Sequence, residues 1–399
     1  MIFDSESVFE DNVITVLKQH GWKDGVLRYP TEQDLLDNWK GILYRNNNDI
    51  DRLGKYPLTD GEMAQIIEQI ETLRTPLALN SFVNGRTVSI TRDNKEDVAH
   101  FGKEISLYIY DRKEIAGGKS TYQIAQQPVY PAKNKMLNSR RGDLVLLING
   151  MPLIHIELKK SGIPVSQATN QIEKYTHEGV FTGLFRLVQI FVAMNPDDAV
   201  YFANPGVDKF NPSYYFHWAD YNNEPICGGQ NPGKDEWKLF IGGTSGTAGL
   251  LSIPMAHQLI GFYTIADSAD GCLKVLRSYQ YIAANAISDV VRKCDWEQRP
   301  TTPGRPGGYV WHTTGSGKTM TSFKSAQLIA DSHDADKVVF LMDRIELGTQ
   351  SLKEYRSFAD SETEVQGTEN TGVLRDKLNS TNVNDTLIVT SIQKMSNVK

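Results

Sequence analysis

Cysteine is scarce: the 399 residues hold three, Cys227, Cys272 and Cys294, far apart and with no CxxC pair. That spacing excludes a disulfide framework and a structural zinc site built on sulfur, and it fits a reduced, cytoplasmic compartment. Long apolar runs are missing too, none nearing the ~20 residues that cross a bilayer. The amino-terminal stretch carries Asp4, Glu6, Glu10 and Asp11, where a secretory leader would be basic. No membrane partner is expected. Basic charge is not in excess either, because 42 Lys and Arg against 48 Asp and Glu leave a net −6. Any nucleic-acid binding must therefore come from a local basic channel rather than from bulk charge. The chain also has no internal repeat and no low-complexity tract.

What is present is enough apolar material, 40% of residues, to exclude general disorder. The length exceeds one compact core, and the composition breaks suggest a first domain over 1–250 and a second over 251–399. In the first, Ser7 and Glu10 have capping-box spacing ahead of the apolar face of a helix. A further helix is expected over 60–73, with short strands over 86–90 and 104–110. A strand, turn and strand occupy 143–159, with Asn149-Gly150 at the turn. A helix over 166–178 and a buried strand over 187–194 follow. Residues 204–249 are rich in Gly, Pro, Asn and aromatics and read as loops, closing at a Gly242-Gly243-Thr244-Ser245-Gly246 boundary. Beyond it, helical periodicity and strands at 337–342 and 387–390 alternate as in a parallel α/β domain.

The strongest motif is the run from Tyr309 to Thr319, YVWHTTGSGKT. A strand is expected to lead into it and a helix to leave it. Thr314, Gly315, Ser316 and Gly317 would curl backbone N–H groups around phosphate oxygens at a helix N-terminus. Lys318 would reach the β- and γ-phosphates of ATP, and Thr319 would hold Mg²⁺ through its hydroxyl. His312 stands where the general pattern begins with glycine. Upstream, Arg277, Tyr279 and Gln280 precede a helix; Gln280 could present donor and acceptor to an adenine edge, or be part of a surface turn. Asp343 ends a hydrophobic run, but Arg344 rather than Glu follows, and no later run ends in Asp-Glu. The acidic pair of an ATPase is therefore expected beyond Lys399.

The second constellation is Asp143 followed by Glu157-Leu158-Lys159 on the next strand. Two carboxylates with a backbone carbonyl can hold a hard cation such as Mg²⁺, which can promote attack on a scissile phosphate while a lysine steadies the developing charge. Alternation places His155, Glu157 and Lys159 on one strand face and Ile154, Ile156 and Leu158 on the other. The pattern alone also suits a solvated strand face. Lys133, Lys135, Arg140 and Arg141 precede the acid and could follow a phosphate backbone, or form a solvated loop. Gln171 and Tyr175 share a helix face at i and i+4. Glu10 could add a third acid, although its capping position already explains it.

Hairpin parity tests the carboxylate pair. A plain two-residue loop at Asn149-Gly150 would oppose Asp143 to Ile156 and turn it away from Glu157. A shared site demands an odd loop or a compensating bulge.

Together, RGDLVLLINGMPLIHIELKKSGIPVSQATNQIEKY, YVWHTTGSGKTMTSFKSA, VVFLMDRIELGTQ and TLIVTSIQK closely resemble the restriction (R) subunit of type I restriction-modification enzymes. The resemblance implies an α/β fold, a PD-(D/E)xK (RecB-family-like) nuclease domain followed by a partial RecA-like superfamily 2 helicase domain. It makes Asp143, Glu157 and Lys159 the nuclease motif, with Asp143 and Glu157 on the metal. Gln171 and Tyr175 match the QxxxY motif, Lys318 and Thr319 helicase motif I, and Gln280 the nucleotide-selecting glutamine. Asp343, Arg344 and Gln350 match motif Ia, while Thr390, Ile392 and Gln393 fall in a segment that touches DNA backbone in related motors. The expected activity is ATP-driven translocation on double-stranded DNA with Mg²⁺-dependent cutting away from the recognition site, alongside methylation (M) and specificity (S) subunits. This chain looks like an N-terminal fragment of such a subunit. The competing expectations are a stand-alone defence or repair helicase-nuclease and a nucleotide-gated module that holds DNA without cutting it.

Overall fold

A computed structural model describes residues 2–115, 117–131, 140–207, 209–229, 234–293, 307–343, 345–359 and 364–398. The chain divides into two compact units, Met1–Thr264 with Cys272–Val275, and Ile265–Gly271 with Leu276–Lys399. Among the described residues, no helix is long and apolar enough to cross a membrane.

The elements up to Val275 are, in order, α1 (Glu6–Gln19), β1 (Val26–Arg28), α2 (Glu32–Asn46), α3 (Asp60–Thr72), α4 (Pro76–Asn84), β2 (Thr87–Thr91), β3 (Glu104–Tyr108), β4 (Tyr122–Gln126), β5 (Leu144–Ile148), β6 (Met151–Leu158), α5 (Val165–His177), β7 (Ile190–Met194), β8 (Ala199–Ala203), α6 (Glu236–Gly242), α7 (Met255–Gly261), β9 (Thr264–Asp267, which falls mostly in the second unit) and β10 (Cys272–Val275). A six-stranded mixed sheet, ordered β1-β4-β5-β6-β7-β8, organises the first unit. The β6 and β7 strands run parallel, with α5 between them in sequence, while β5 and β6 form an antiparallel hairpin. All residues of β5, β6, β7 and β8 are buried. Burial on both sides explains why these strands read as near-continuous apolar runs. One core cluster joins Ala168 and Ile172 of α5 to Phe191, Ala193, Val200 and Phe202 of β7 and β8. Elsewhere in this unit, Arg92 is fully buried, its Nη1 2.6 Å from Glu62 Oε2 and its Nε 2.9 Å from Asp97 Oδ2.

The hairpin resolves the parity question. Asn149 and Gly150 both have positive φ, 52° and 83°, so the turn is a two-residue loop that opposes Ile148 to Met151 and Leu147 to Pro152. The register then shifts: Leu146 faces Ile154 and Leu144 faces Ile156. Leu153 is the extra residue of a β-bulge. The ladder ends there; continuing its register by one step would set Asp143 opposite Glu157. The bulge reverses the parity that the turn alone would impose.

Three expectations need correction. The amino-terminal helix is capped by Ser5, whose side chain accepts from the Val8 N–H, not by a Ser7–Glu10 box. Glu10 lies inside the helix and is buried. Residues 204–249 are not all loop, since α6 buries Trp237, Phe240 and Ile241. In the second unit, 309–311 form no strand; Tyr309 and Trp311 are each 88% exposed. Apolar alternation makes a strand only where a ladder partner exists, and 309–311 pair with no described strand.

The second unit comprises α8 (Ser278–Arg292), α9 (Lys318–Ser332), β11 (Val338–Met342), α10 (Ile345–Phe358), β12 (Val365–Gly367), α11 (Thr371–Asn379), β13 (Leu387–Ser391) and α12 (Ile392–Ser396). Its sheet is parallel, ordered β11-β13-β12.

Candidate active site and phosphate loop

Asp143 ends the loop before β5, and Glu157 sits near the end of β6. The Leu158 N–H donates to Asp143 Oδ2 at 2.7 Å, which locks the acid onto the neighbouring strand. Glu157 is fully buried, and neither of its carboxylate oxygens has a hydrogen-bond partner. Burial pushes the Glu157 carboxyl up to about 7, an effect the Lys159 ammonium partly offsets. Burial, and then the Glu157 carboxylate, hold Asp143 well above the usual carboxylate range. Lys159 Nζ lies 3.5 Å from Glu157 Oε1 and 3.7 Å from Glu6 Oε1, and donates to the Leu158 carbonyl at 2.8 Å.

The face of His155, Glu157 and Lys159 is therefore not a solvated strand face, since all three are buried. Leaving two carboxylate oxygens buried and unpaired is costly unless a proton or cation occupies the space. The donor set of Asp143, Glu157 and the Leu158 carbonyl is all oxygen, which suits a hard divalent cation such as Mg²⁺. Among the described residues no group of three His, Cys, Asp or Glu side chains forms a metal cluster, so a backbone carbonyl must complete any such set.

Glu10 has a different role from the cap its spacing suggested. Its Oε1 accepts from Gln126 Nε2 at 2.6 Å, and Gln127 Nε2 lies 3.2 Å from Oε2. Burial raises its pKa, with Asp143 adding a smaller electrostatic contribution. Glu10 is thus an acid within electrostatic reach of the site.

Gln171 and Tyr175 meet as their spacing predicts, with Gln171 Nε2 donating to the Tyr175 hydroxyl at 2.7 Å. The hydroxyl in turn donates to the Arg141 carbonyl at 2.9 Å. The pair thus anchors the backbone two residues ahead of Asp143. Burial, then Glu157, push the phenol up to about 12, so it stays a donor. Of the basic residues, Lys133 and Lys135 lie outside the described residues. Arg140 is committed to a two-pronged pair with Glu178, Nε and Nη2 each at 3.0 Å. Arg141 is exposed, its guanidinium 5.7 Å from the Tyr29 ring centre.

In the second unit, Gly315 and Gly317 have φ near 78° and 79°, and Gly317 caps α9 in the left-handed region. These conformations favour glycine and turn the loop into the helix. Lys318 Nζ donates to the Thr313 carbonyl at 2.9 Å, as does the Ser316 hydroxyl at 2.7 Å. Thr314 is exposed, and Thr319 is half-buried in the first turn of α9. Gln280 is buried and braces the loop: Nε2 donates to the Gly317 carbonyl at 3.2 Å, while Oε1 accepts the Arg277 N–H at 3.0 Å. The Tyr279 hydroxyl donates to the Ser316 carbonyl at 2.9 Å and receives Arg277 Nη1 at 3.2 Å. Both ends of the Gln280 amide are committed, so an adenine edge would have to displace one of these bonds. Asp343 is linked to the segment expected to touch DNA backbone, since its carbonyl accepts from Gln393 Nε2 at 3.0 Å. Its neighbour Arg344 lies outside the described residues. Thr390 Oγ1 accepts from Thr368 Oγ1 at 2.7 Å.

The family model described as the type I restriction enzyme R protein N terminus matches residues 4–210. The chain belongs to that family. A second model, described as SWI2/SNF2 ATPase, matches residues 279–399 of this R protein chain. A type I restriction enzyme endonuclease subunit of Staphylococcus saprophyticus is 32% identical over 404 residues, covering 99% of this chain and 37% of the relative. Its Staphylococcus aureus counterpart is 33% identical over 398 residues with the same coverage. An Escherichia coli type I restriction enzyme endonuclease subunit is 26% identical over 343 residues, 78% of this chain and 99% of the relative. The chain thus spans 37% of the length of the two staphylococcal relatives.

One residue beside the site had no sequence signal. Tyr130 is fully buried, and its hydroxyl lies 2.9 Å from His155 Nδ1. It sits outside any motif, and the contact arises only from folding.

Proposed function

We propose that the first unit is a PD-(D/E)xK-type nuclease that cuts double-stranded DNA with Mg²⁺, and that the second binds ATP to drive translocation on DNA. One observation carries the nuclease reading. The Leu153 bulge returns Asp143 to the face of Glu157 and Lys159, where both Glu157 oxygens are buried without a hydrogen bond and the Lys159 ammonium lies 3.5 Å from Oε1. Stability alone gives no reason to bury that carboxylate, whereas a cation site does.

In this reading Asp143, Glu157 and the Leu158 carbonyl hold Mg²⁺, with Glu10 as an adjacent acid. A bound Mg²⁺ supplies Lewis acidity toward the scissile phosphate and makes water a better nucleophile. Lys159 places its ammonium where it steadies the attacking oxygen and the charge building on the phosphate. Gln171 and Tyr175 hold the Arg141 carbonyl, and through it the approach to Asp143. In the second unit, Thr314, Gly315, Ser316 and Gly317 cradle the phosphates of ATP, Lys318 neutralises them and Thr319 holds the accompanying Mg²⁺. Arg277 and Gln280 set the shape of the loop beside the nucleotide. As in a type I system, recognition of the DNA site would belong to a separate S subunit and modification to M subunits, in the cytoplasm.

The test is cleavage of duplex DNA with and without Mg²⁺. Nicking that requires Mg²⁺ and disappears in Lys159→Ala is expected. DNA binding without cleavage, unchanged by Lys159→Ala, would instead mean a non-cutting module.

A further inference from the structure

Two buried groups in the first unit are not explained by the nuclease motif. Tyr130 and His155 are both fully buried, yet each carries polar atoms that burial should disfavour without a partner. The Tyr130 hydroxyl lies 2.9 Å from His155 Nδ1, and His155 Nε2 lies 3.3 Å from Glu157 Oε2. His155 Nε2 has no other hydrogen-bond partner, and neither does Glu157 Oε2. The rings are boxed in by Phe181, Phe185 and Phe191, with centroids between 4.6 and 6.0 Å of one or the other. The imidazole therefore has little freedom to turn elsewhere.

We propose that Tyr130 and His155 form a positioning relay that aims the Glu157 carboxylate at the cation site; the proposal rests on the nuclease reading of that site. The direction of the relay follows from the alternatives. If Nδ1 donated to the phenol oxygen, a bare Nε2 lone pair would face a buried carboxylate oxygen. If the phenol donates to Nδ1, the proton sits on Nε2, 3.3 Å from Glu157 Oε2, and a turn of the carboxylate completes the bond. Only the second arrangement satisfies all three groups. With Oε2 held by the histidine, Oε1 is left toward Lys159, at 3.5 Å.

A glycine makes room for the relay. A Cβ added to Gly142, immediately before Asp143, would lie 2.5 Å from the Tyr130 hydroxyl oxygen and 3.0 Å from His155 Cε1. The φ of Gly142 is not positive, so the constraint at this position is space, and the relay fills it.

The experiment measures Mn²⁺ binding to the 399-residue chain by electron paramagnetic resonance, without DNA, for Tyr130→Phe, His155→Leu, His155→Gln and the control Asp143→Asn. Tyr130→Phe keeps the ring and its packing, and thermal melting of each variant reports folding. Loss of a group that orients a metal ligand typically weakens the metal by roughly 10- to 100-fold. Tyr130→Phe and His155→Leu are expected to bind Mn²⁺ about 10-fold more weakly, with His155→Gln restored toward wild type because its amide can still donate to Glu157. Wild-type Mn²⁺ affinity in folded Tyr130→Phe and His155→Leu, while Asp143→Asn loses it, would overturn the relay and spare the nuclease reading. Gln as weak as Leu would also overturn it, leaving His155 a packing residue. Unchanged affinity in Asp143→Asn would overturn both.

Discussion

Glu157→Gln should make the metal-free protein more stable at alkaline pH while abolishing its use of Mg²⁺. Glu157 is fully buried, and its pKa is raised from 4.5 to about 7 by that burial. Below pH 4.5 the folded and unfolded chains both carry the proton, so this group adds no pH-dependent penalty. As pH rises from 4.5 through about 7, the unfolded chain ionises first, binds fewer protons than the folded one, and stability falls. Above the folded value the penalty is constant, roughly 3 kcal/mol. An uncharged amide of the same shape never incurs it. In chelator at about pH 8.5, the variant should melt on the order of 5–10 °C above wild type, with the gap closing toward about pH 5. Saturating Mg²⁺ should then stabilise the wild type by about 2.7 kcal/mol at 100 times its dissociation constant, raising its melting temperature, and leave the variant unmoved. Equal melting temperatures at alkaline pH in chelator would refute the claim that burial of the Glu157 charge outweighs what Lys159 returns.

Replacing Arg92 by Met leaves Glu62 and Asp97 buried without their cation, and denaturant titration should show a loss of about 3–5 kcal/mol. Gly150→Ala must adopt a φ of 83° and bring its Cβ to 2.9 Å from the Trp39 Cα; a loss of at least ~1–3 kcal/mol is expected, and a change inside experimental error would contradict the turn geometry. Lys318→Ala should remove binding of a fluorescent ATP analogue while leaving Mn²⁺ binding by Asp143 and Glu157 intact, because the two sites belong to different units.

Much of this architecture could be read locally. The hairpin strands, the Asn149-Gly150 turn and the helix carrying Gln171 and Tyr175 formed where alternation and spacing placed them. The glycines of the phosphate loop took the left-handed conformations that their motif requires. Such features depend on neighbours in the chain, through backbone sterics, i to i+4 contacts and the two-residue period of a strand. The misreadings arose where more than one local rule was available. Ser7 and Glu10 matched a cap, yet Ser5 took that role and left Glu10 to turn inward. The apolar run 309–311 matched a strand but met no ladder partner among the described residues.

The sequence by itself determined the chemical inventory: Asp143, Glu157 and Lys159 at strand spacing, and Thr314 to Thr319 at a helix start. It could state that Asp143 needs a shifted register to join Glu157, but not where the shift lies. Tertiary structure decided that, by placing the extra residue at Leu153, whose carbonyl accepts the Gln189 N–H at 2.9 Å. It also decided that Glu157 is buried and that Tyr130 meets His155 across 25 positions of chain. Desolvation depends on everything packed around a group, and Asp143 and Glu6 reach Glu157 from other segments whose approach no local pattern encodes.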